Sequence, residues 1–235
     1  SPLFQPATIG NLQLPNRFIA SAISYRDSDQ YGFPSVSELN HIQRLARGGV
    51  GLIIPGNMFT TKVGRNRLWQ NGFASTCHAD AWKDIIKEVH SHGTKIIFQV
   101  AHGGIAAEPE AVRVPPKGPS AIIPGSKELT IPEIEQIIQS YVKSAKLIAE
   151  AGGDGIQLQC AHGFLLSQFL SPMTNKRTDG YGGSVANRTR IIREIVQNIR
   201  KLDVVKNNKE FAVTIKINGD DVVKQGGFTP EMCGQ

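Results

Sequence analysis

The sequence predicts an α/β protein with a parallel sheet, and three observations lead there. Short apolar runs alternate with amphipathic stretches along the chain, the pattern of repeated βα units. The apolar runs are nearly continuous rather than alternating, as expected of strands covered on both faces. The length, 235 residues, is just under the roughly 250 residues of one α/β barrel, so one domain is expected rather than two.

The elements follow in order. Residues 3–14, with Pro6, Gly10 and then Pro15, read as a capping hairpin before the first strand. Candidate strands are residues 17–21, 50–55, 95–100, 155–159 and 211–217. Ser37 is placed to cap a helix carrying Leu39, Ile42 and Leu45, with Gly48-Gly49 stopping it. Residues 79–92 carry Trp82, Ile85, Ile86 and Val89, with Gly93 beyond the end. Thr130-Ile131-Pro132-Glu133 is a capping box with proline in the first turn. The helix it opens places Ile134, Ile137, Ile138, Tyr141, Ala145 and Ile148 on one face and ends near Gly152-Gly153. Ser184 or Asn187 opens the next, with Ile191, Ile192, Ile195, Val196 and Ile199 inward. Residues 103–127 are rich in Pro, Gly and Ala without periodicity. They follow the third strand, and long βα loops at the C-terminal face of a barrel are where active sites form.

Composition narrows the class. The chain is 40% apolar and 20% charged, ordinary for a globular domain. The net charge of +6 is spread along the chain. It forms no basic stripe or nucleic-acid module, so no nucleic-acid partner is expected, and the positive balance suits a phosphate-bearing cofactor. No apolar run reaches about 18 residues, so no membrane partner is expected. The start, SPLFQPATIG, lacks the basic and apolar regions of a signal peptide. It also lacks an initiator Met, which suggests processing or trimming. Cys77, Cys160 and Cys233 are too few and scattered for a disulfide framework or a CxxC metal site. A reducing, cytoplasmic setting is expected. The run His90–His92 has no carboxylate or cysteine at ligand spacing, so no metal is expected. No G-x-S-x-G elbow suggests a serine hydrolase.

The string QCAHGFLLSQFLSPMTNKRTDGYGGSVANR, residues 159–188, closely resembles the signature segment of the old yellow enzyme family, FMN-dependent NAD(P)H oxidoreductases built on a TIM barrel. Gln99-Val100-Ala101-His102-Gly103-Gly104 resembles the family's Q-x-x-H-x-G-R, with Ile105 in place of the Arg. The resemblance implies a TIM (β/α)8-type barrel. Five βα units are legible in residues 17–235, after the hairpin of residues 1–16. Three more would need on the order of 100 residues, so an incomplete barrel is expected, the N-terminal part of a longer FMN-binding protein. Unclosed sheet edges favour self-association into a homo-oligomer.

The resemblance also implies site residues. Ser21, Ala22, Ile23 and Ser24 would lie along the flavin, with the Ser24 hydroxyl placed to donate to a flavin carbonyl. A plain strand-to-loop junction is the alternative. Asn57 would sit beside the ring, and the Gln99 amide would bind its pyrimidine edge. His102 reads as a structural hydrogen-bonding residue. Gln159 and His162 take the places of a pair that grips the acceptor oxygen, where two donors must converge on a developing enolate. The alternative is that they only satisfy each other. Phe164 stands where the family often has a proton-donating Tyr, so enone reduction would be impaired. Lys216 would face the flavin N1 region, or else pair with Asp220 or Asp221. Residues 177–184, RTDGYGGS, read as architectural. In the family, loops after the seventh and eighth strands bind the phosphate, and no GxxxxGK[ST] or GxGxxG replaces them here. The implied function is hydride transfer from NADH or NADPH through FMN to an electron-poor alkene, quinone or similar small-molecule acceptor. The alternative is an impaired barrel remnant acting as a non-enzymatic interaction module.

Overall fold

A computed structural model describes all 235 residues. The chain opens with an antiparallel hairpin, β1 (Ala7–Ile9) and β2 (Leu12–Leu14). Next come β3 (Ile19–Ala20), α1 (Val36–Arg47), β4 (Leu52–Ile53), β5 (Met58–Phe59), α2 (Thr76–Ser91) and β6 (Lys95–Ala101). A long excursion holds α3 (Pro109–Val112), β7 (Lys117–Gly118) and β8 (Lys127–Glu128). It leads into α4 (Ile131–Ala151), β9 (Gly155–Cys160) and α5 (Leu165–Leu170). The remainder is α6 (Val185–Arg188), α7 (Arg190–Arg200), α8 (Asp203–Lys206), β10 (Ala212–Ile217) and α9 (Pro230–Gly234).

Five parallel strands lie side by side in chain order, β3-β4-β6-β9-β10, and β5 adds at the far end of β6. Each strand neighbours the next one in sequence, the connectivity of an α/β barrel. The sheet curls into a half-barrel. β3 and β10 are its outer strands.

Alternation along the strands divides the side chains between two faces. Ile96, Phe98 and Val100 of β6 and Ile156, Leu158 and Cys160 of β9 are fully buried in the core shared with the helices. Helix α4 supplies Ile134, Ile138, Tyr141, Ala145 and Ile148 to it, and α7 supplies Ile191, Ile195 and Ile199. The other face carries Leu52, Ile54, Ile97 and Ala212, and the hairpin inserts Leu12 and Leu14 among them. Burying each of those two leucines stabilises the inner layer by roughly 1.5–3 kcal/mol. The hairpin therefore plugs the end of the half-barrel where the strands begin.

Several boundaries differ from the sequence expectation. The first two strands shorten to two residues each, and Asn16 bridges the two segments at their base. Its Nδ2 donates to the Gly49 carbonyl at 2.8 Å and its Oδ1 accepts from the Phe18 N–H at 3.0 Å. Helix α1 is capped by Ser35, not Ser37: Ser35 is extended and its Oγ accepts from the Glu38 N–H. Helix α2 starts at Thr76, with Ser75 as its cap. Ser184, not Asn187, is the cap that opens α6. The capping box at Thr130 and Glu133 is formed, and α4 ends at Gly152 with φ 96°. No helix is long and apolar enough to cross a membrane.

Candidate functional site

Above the plug, at the ends of the strands, the inner face turns polar. The register sets Gln99 of β6 beside Gln157 of β9, and Gln157 beside Thr214 of β10. Gln99 Nε2 donates to Gln157 Oε1 at 2.7 Å, and Gln157 Nε2 reaches Thr214 Oγ1 at 3.5 Å. Gln99 Nε2 gives one hydrogen to Gln157, so its second N–H and the amide oxygen are left without a partner in the chain. The segment before Asn57 passes directly over Gln99. The Gln99 N–H donates to the Pro55 carbonyl at 3.0 Å, and a Cβ on Gly56 would stand 2.8 Å from the Gln99 carbonyl oxygen. Only glycine fits that approach.

One step further along the strands, Lys216 of β10 lies opposite Gln159 of β9. Lys216 is half-buried and takes part in no ion pair, with Asp220, Asp221 or any other carboxylate. Asp221 is occupied by the Ser171 hydroxyl and the Phe228 N–H, and Asp220 by the Val222 N–H. The ion-pair alternative for Lys216 is thereby corrected: Asp220 bonds within the chain after β10, and Asp221 bonds there and to Ser171 at the end of α5. The Lys216 charge is therefore free to meet a ligand at the strand ends.

Gln159 and His162 do meet. Gln159 Nε2 lies 3.2 Å from His162 Nδ1, while Gln159 Oε1 is buried without any partner. A left-handed turn at His162 and Gly163 (φ 61° and 74°) carries the chain away from β9, and Asn218 Oδ1 accepts from the His162 N–H at 3.2 Å. Burial, then the nearby positive charge of Lys216, lowers the His162 pKa. The imidazole is therefore neutral at pH 7 and offers one donor and one acceptor. Phe164 caps α5 and is 7% exposed.

The other predicted residues divide. Ser21, Ala22, Ile23 and Ser24 run just past the end of β3 on the same rim. Ala22 packs towards the plug, and no side-chain partner within the chain engages Ser24. Asn57 is buried and serves its own loop: its Oδ1 accepts from Asn66 Nδ2 at 3.1 Å and from Gln70 Nε2 at 2.8 Å. His102 is 5% exposed and sits outside the layer of glutamines. His90 pairs with Asp154 at 2.7 Å, and no group of three or more His, Cys, Asp or Glu side chains is placed to hold a metal. All three cysteines are free thiols.

Gln157, Thr214 and Asn218 were not singled out from sequence. The signal for the first two was present: Gln157 is two residues before Gln159, and Thr214 two before Lys216, which puts each on the same strand face as its partner. The segment 177–184 has an architectural arrangement. Arg177 donates to the Pro119 and Leu129 carbonyls at 3.0 and 2.7 Å and pairs with Asp179, while Tyr181 OH donates to Glu194 at 2.7 Å. Gln168 ties two βα loops together through the Gly103 and Gly163 carbonyls.

A parallel half-barrel with amides and one unpaired cation at its strand ends has the layout of the α/β barrels, a class in which sites form over the strand C-termini. Comparison with known proteins makes the assignment specific. The model of the NADH:flavin oxidoreductase / NADH oxidase family matches residues 2–235. An NADPH dehydrogenase of Clostridium acetobutylicum is 35% identical over 233 residues, covering 97% of this chain and 67% of the relative. An NADH oxidase of Thermoanaerobacter brockii is 35% identical over 237 residues, covering 97% of this chain and 36% of the relative. The old yellow enzyme structure from Pichia sp. AKU4542 superposes with a TM-score of 0.83 at 29% identity, covering 92% of this chain and 59% of that one. The chain belongs to the NADH:flavin oxidoreductase family, that of the old yellow enzymes, and corresponds to its N-terminal portion. It spans between about a third and two thirds of the length of these relatives.

Proposed function

We propose that this chain supplies the ring-binding half of an FMN-dependent NAD(P)H oxidoreductase, completed by further strands that close the barrel. The observation that carries the reading is Lys216, a half-buried cation lacking any carboxylate partner, set at the strand ends beside two ordered amides. These residues fit a flavin. The free Gln99 oxygen accepts from a ring N–H, the Ser24 hydroxyl donates to a ring carbonyl, and the Lys216 ammonium stabilises negative charge on the pyrimidine edge. The chemistry that a bound FMN would supply there is hydride transfer from NADH or NADPH to a second substrate.

The end of β9 and the turn after it hold that second substrate. Gln159 and His162 meet at 3.2 Å and present amide and imidazole groups to its oxygen. Phe164 has no proton to give. Acceptors that need no protonation at carbon, such as quinones, are favoured over enones. The acceptor is a small molecule, and three free thiols suit a reducing cytoplasm.

Lumiflavin lacks the ribityl phosphate and so tests the ring site alone. The expected result is saturable quenching of its fluorescence by the purified chain, lost in Gln99→Ala and Lys216→Gln. Absence of quenching by the wild-type chain, with native circular dichroism, overturns the proposal.

A further inference from the structure

A cavity opens on the outer side of the rim, away from the Gln99–Lys216 layer. It encloses about 360 Å³, within the usual range for small-ligand sites. The segment after β5, the end of β6, the excursion from α3 to β8 and the first turns of α4 wall it in. Val63, Val114, Leu129 and Ile137 form an apolar body, and His102 and Lys127 are its notable polar groups.

His102 is the telling residue. It is more than nine-tenths buried and lines the cavity. Its Nδ1 accepts from the Gly104 N–H at 3.1 Å, so Nδ1 carries no proton and the neutral ring bears its hydrogen on Nε2. That Nε2–H has no partner within the chain. Gly64 backs the ring: a Cβ there would overlap its Cδ2 edge. Burial pushes the His102 pKa down to about 4, so the ring is a fixed donor rather than a cation at pH 7. The Nε2–H is a donor on a cavity-lining ring with no acceptor in the chain, and a ligand oxygen would satisfy it. The charge of the lining selects the ligand's sign. Lys117 is paired with Glu133, whereas Lys127 enters no ion pair, leaving one net positive charge.

We propose that this cavity binds a small apolar monocarboxylate. Its hydrocarbon body lies against Val63, Leu129 and Ile137, and its carboxylate accepts from His102 Nε2–H in the field of Lys127. The site is independent of the flavin reading, since none of its residues belongs to the layer of Gln99, Gln157, Gln159 and Lys216.

Benzoate is the probe, titrated into the full chain with the histidine rings labelled with ¹⁵N. The expected result is a saturable shift of the His102 Nε2 resonance that benzylamine does not produce. His102→Asn keeps an acceptor for the Gly104 N–H but removes the donor, and should weaken benzoate by about tenfold. Val114→Trp, on an exposed loop, fills the cavity and should abolish binding even if His102→Asn fails to fold. Lys216→Gln should leave benzoate affinity unchanged. No saturable shift at His102, equal binding of benzylamine, or affinity that follows Lys216→Gln and ignores Val114→Trp overturns the proposal.

Discussion

Gln99 and Lys216 were legible as site residues because each is a polar group inside an apolar run, and such a group needs a partner. Gln157 belongs to the same row, but its role depends on register: only the pairing of β6 with β9 puts its Oε1 within 2.7 Å of the Gln99 amide. His102 reads as structural from its sequence, and its Gly104 bond agrees with that. Its burial has a measurable consequence. The unfolded chain titrates this imidazole near pH 6.5, and the folded chain near pH 4. Between those values the unfolded state holds more protons. The contribution of His102 is therefore fully present above pH 6.5 and is lost as the pH falls towards 4, by roughly 3 kcal/mol across the window. Urea denaturation of wild type and His102→Asn at pH 7 and pH 5 checks this. The variant should lose less stability on acidification, and an equal loss would assign the acid sensitivity elsewhere.

At the scale of elements, the long amphipathic helices were plain and the short pieces were not. Helix α4 has its cap, its apolar stripe and its glycine stop in the sequence itself. Its N-terminal bonds are local, with Thr130 and Glu133 exchanging hydrogen bonds. Thr130→Ala should cost about 1 kcal/mol of stability, read as a lowered denaturation midpoint with unchanged m-value. No change would mean that tertiary packing alone sets the start of α4. Helix α5 was missed because all six of its residues are buried, which removes the polar face that periodicity detects. Strands β5, β7 and β8 have two residues each. β5 forms against the distant β6, and β7 and β8 pair with each other inside one excursion; a two-residue run carries no pattern.

Across the whole molecule, the half-barrel leaves β10 and β3 each with one unpaired side. Ile215 on β10 is 46% exposed and Ile19 on β3 is 47% exposed. An edge strand with an exposed isoleucine is a template for pairing with another chain. The 235-residue chain should therefore self-associate with rising concentration in sedimentation velocity, and Ile215→Lys should reduce this severalfold by placing a charge on that edge. Concentration-independent sedimentation of the wild type would show that the edges are shielded.

By itself the sequence determined the number and order of the βα units, the helix faces, and the residue types at the strand ends. These are local matters of period, capping and chain order. Tertiary structure decided which of those residues act together. Strand register aligned Gln99, Gln157 and Thr214, and set Lys216 opposite Gln159. The loops between elements committed Asp220 and Asn57 to local bonds and Asp221 to Phe228 and the distant Ser171. They also enclosed His102 in a cavity of its own. The pairings set by strand register join residues tens of positions apart, so they follow from packing and closure rather than from any local pattern.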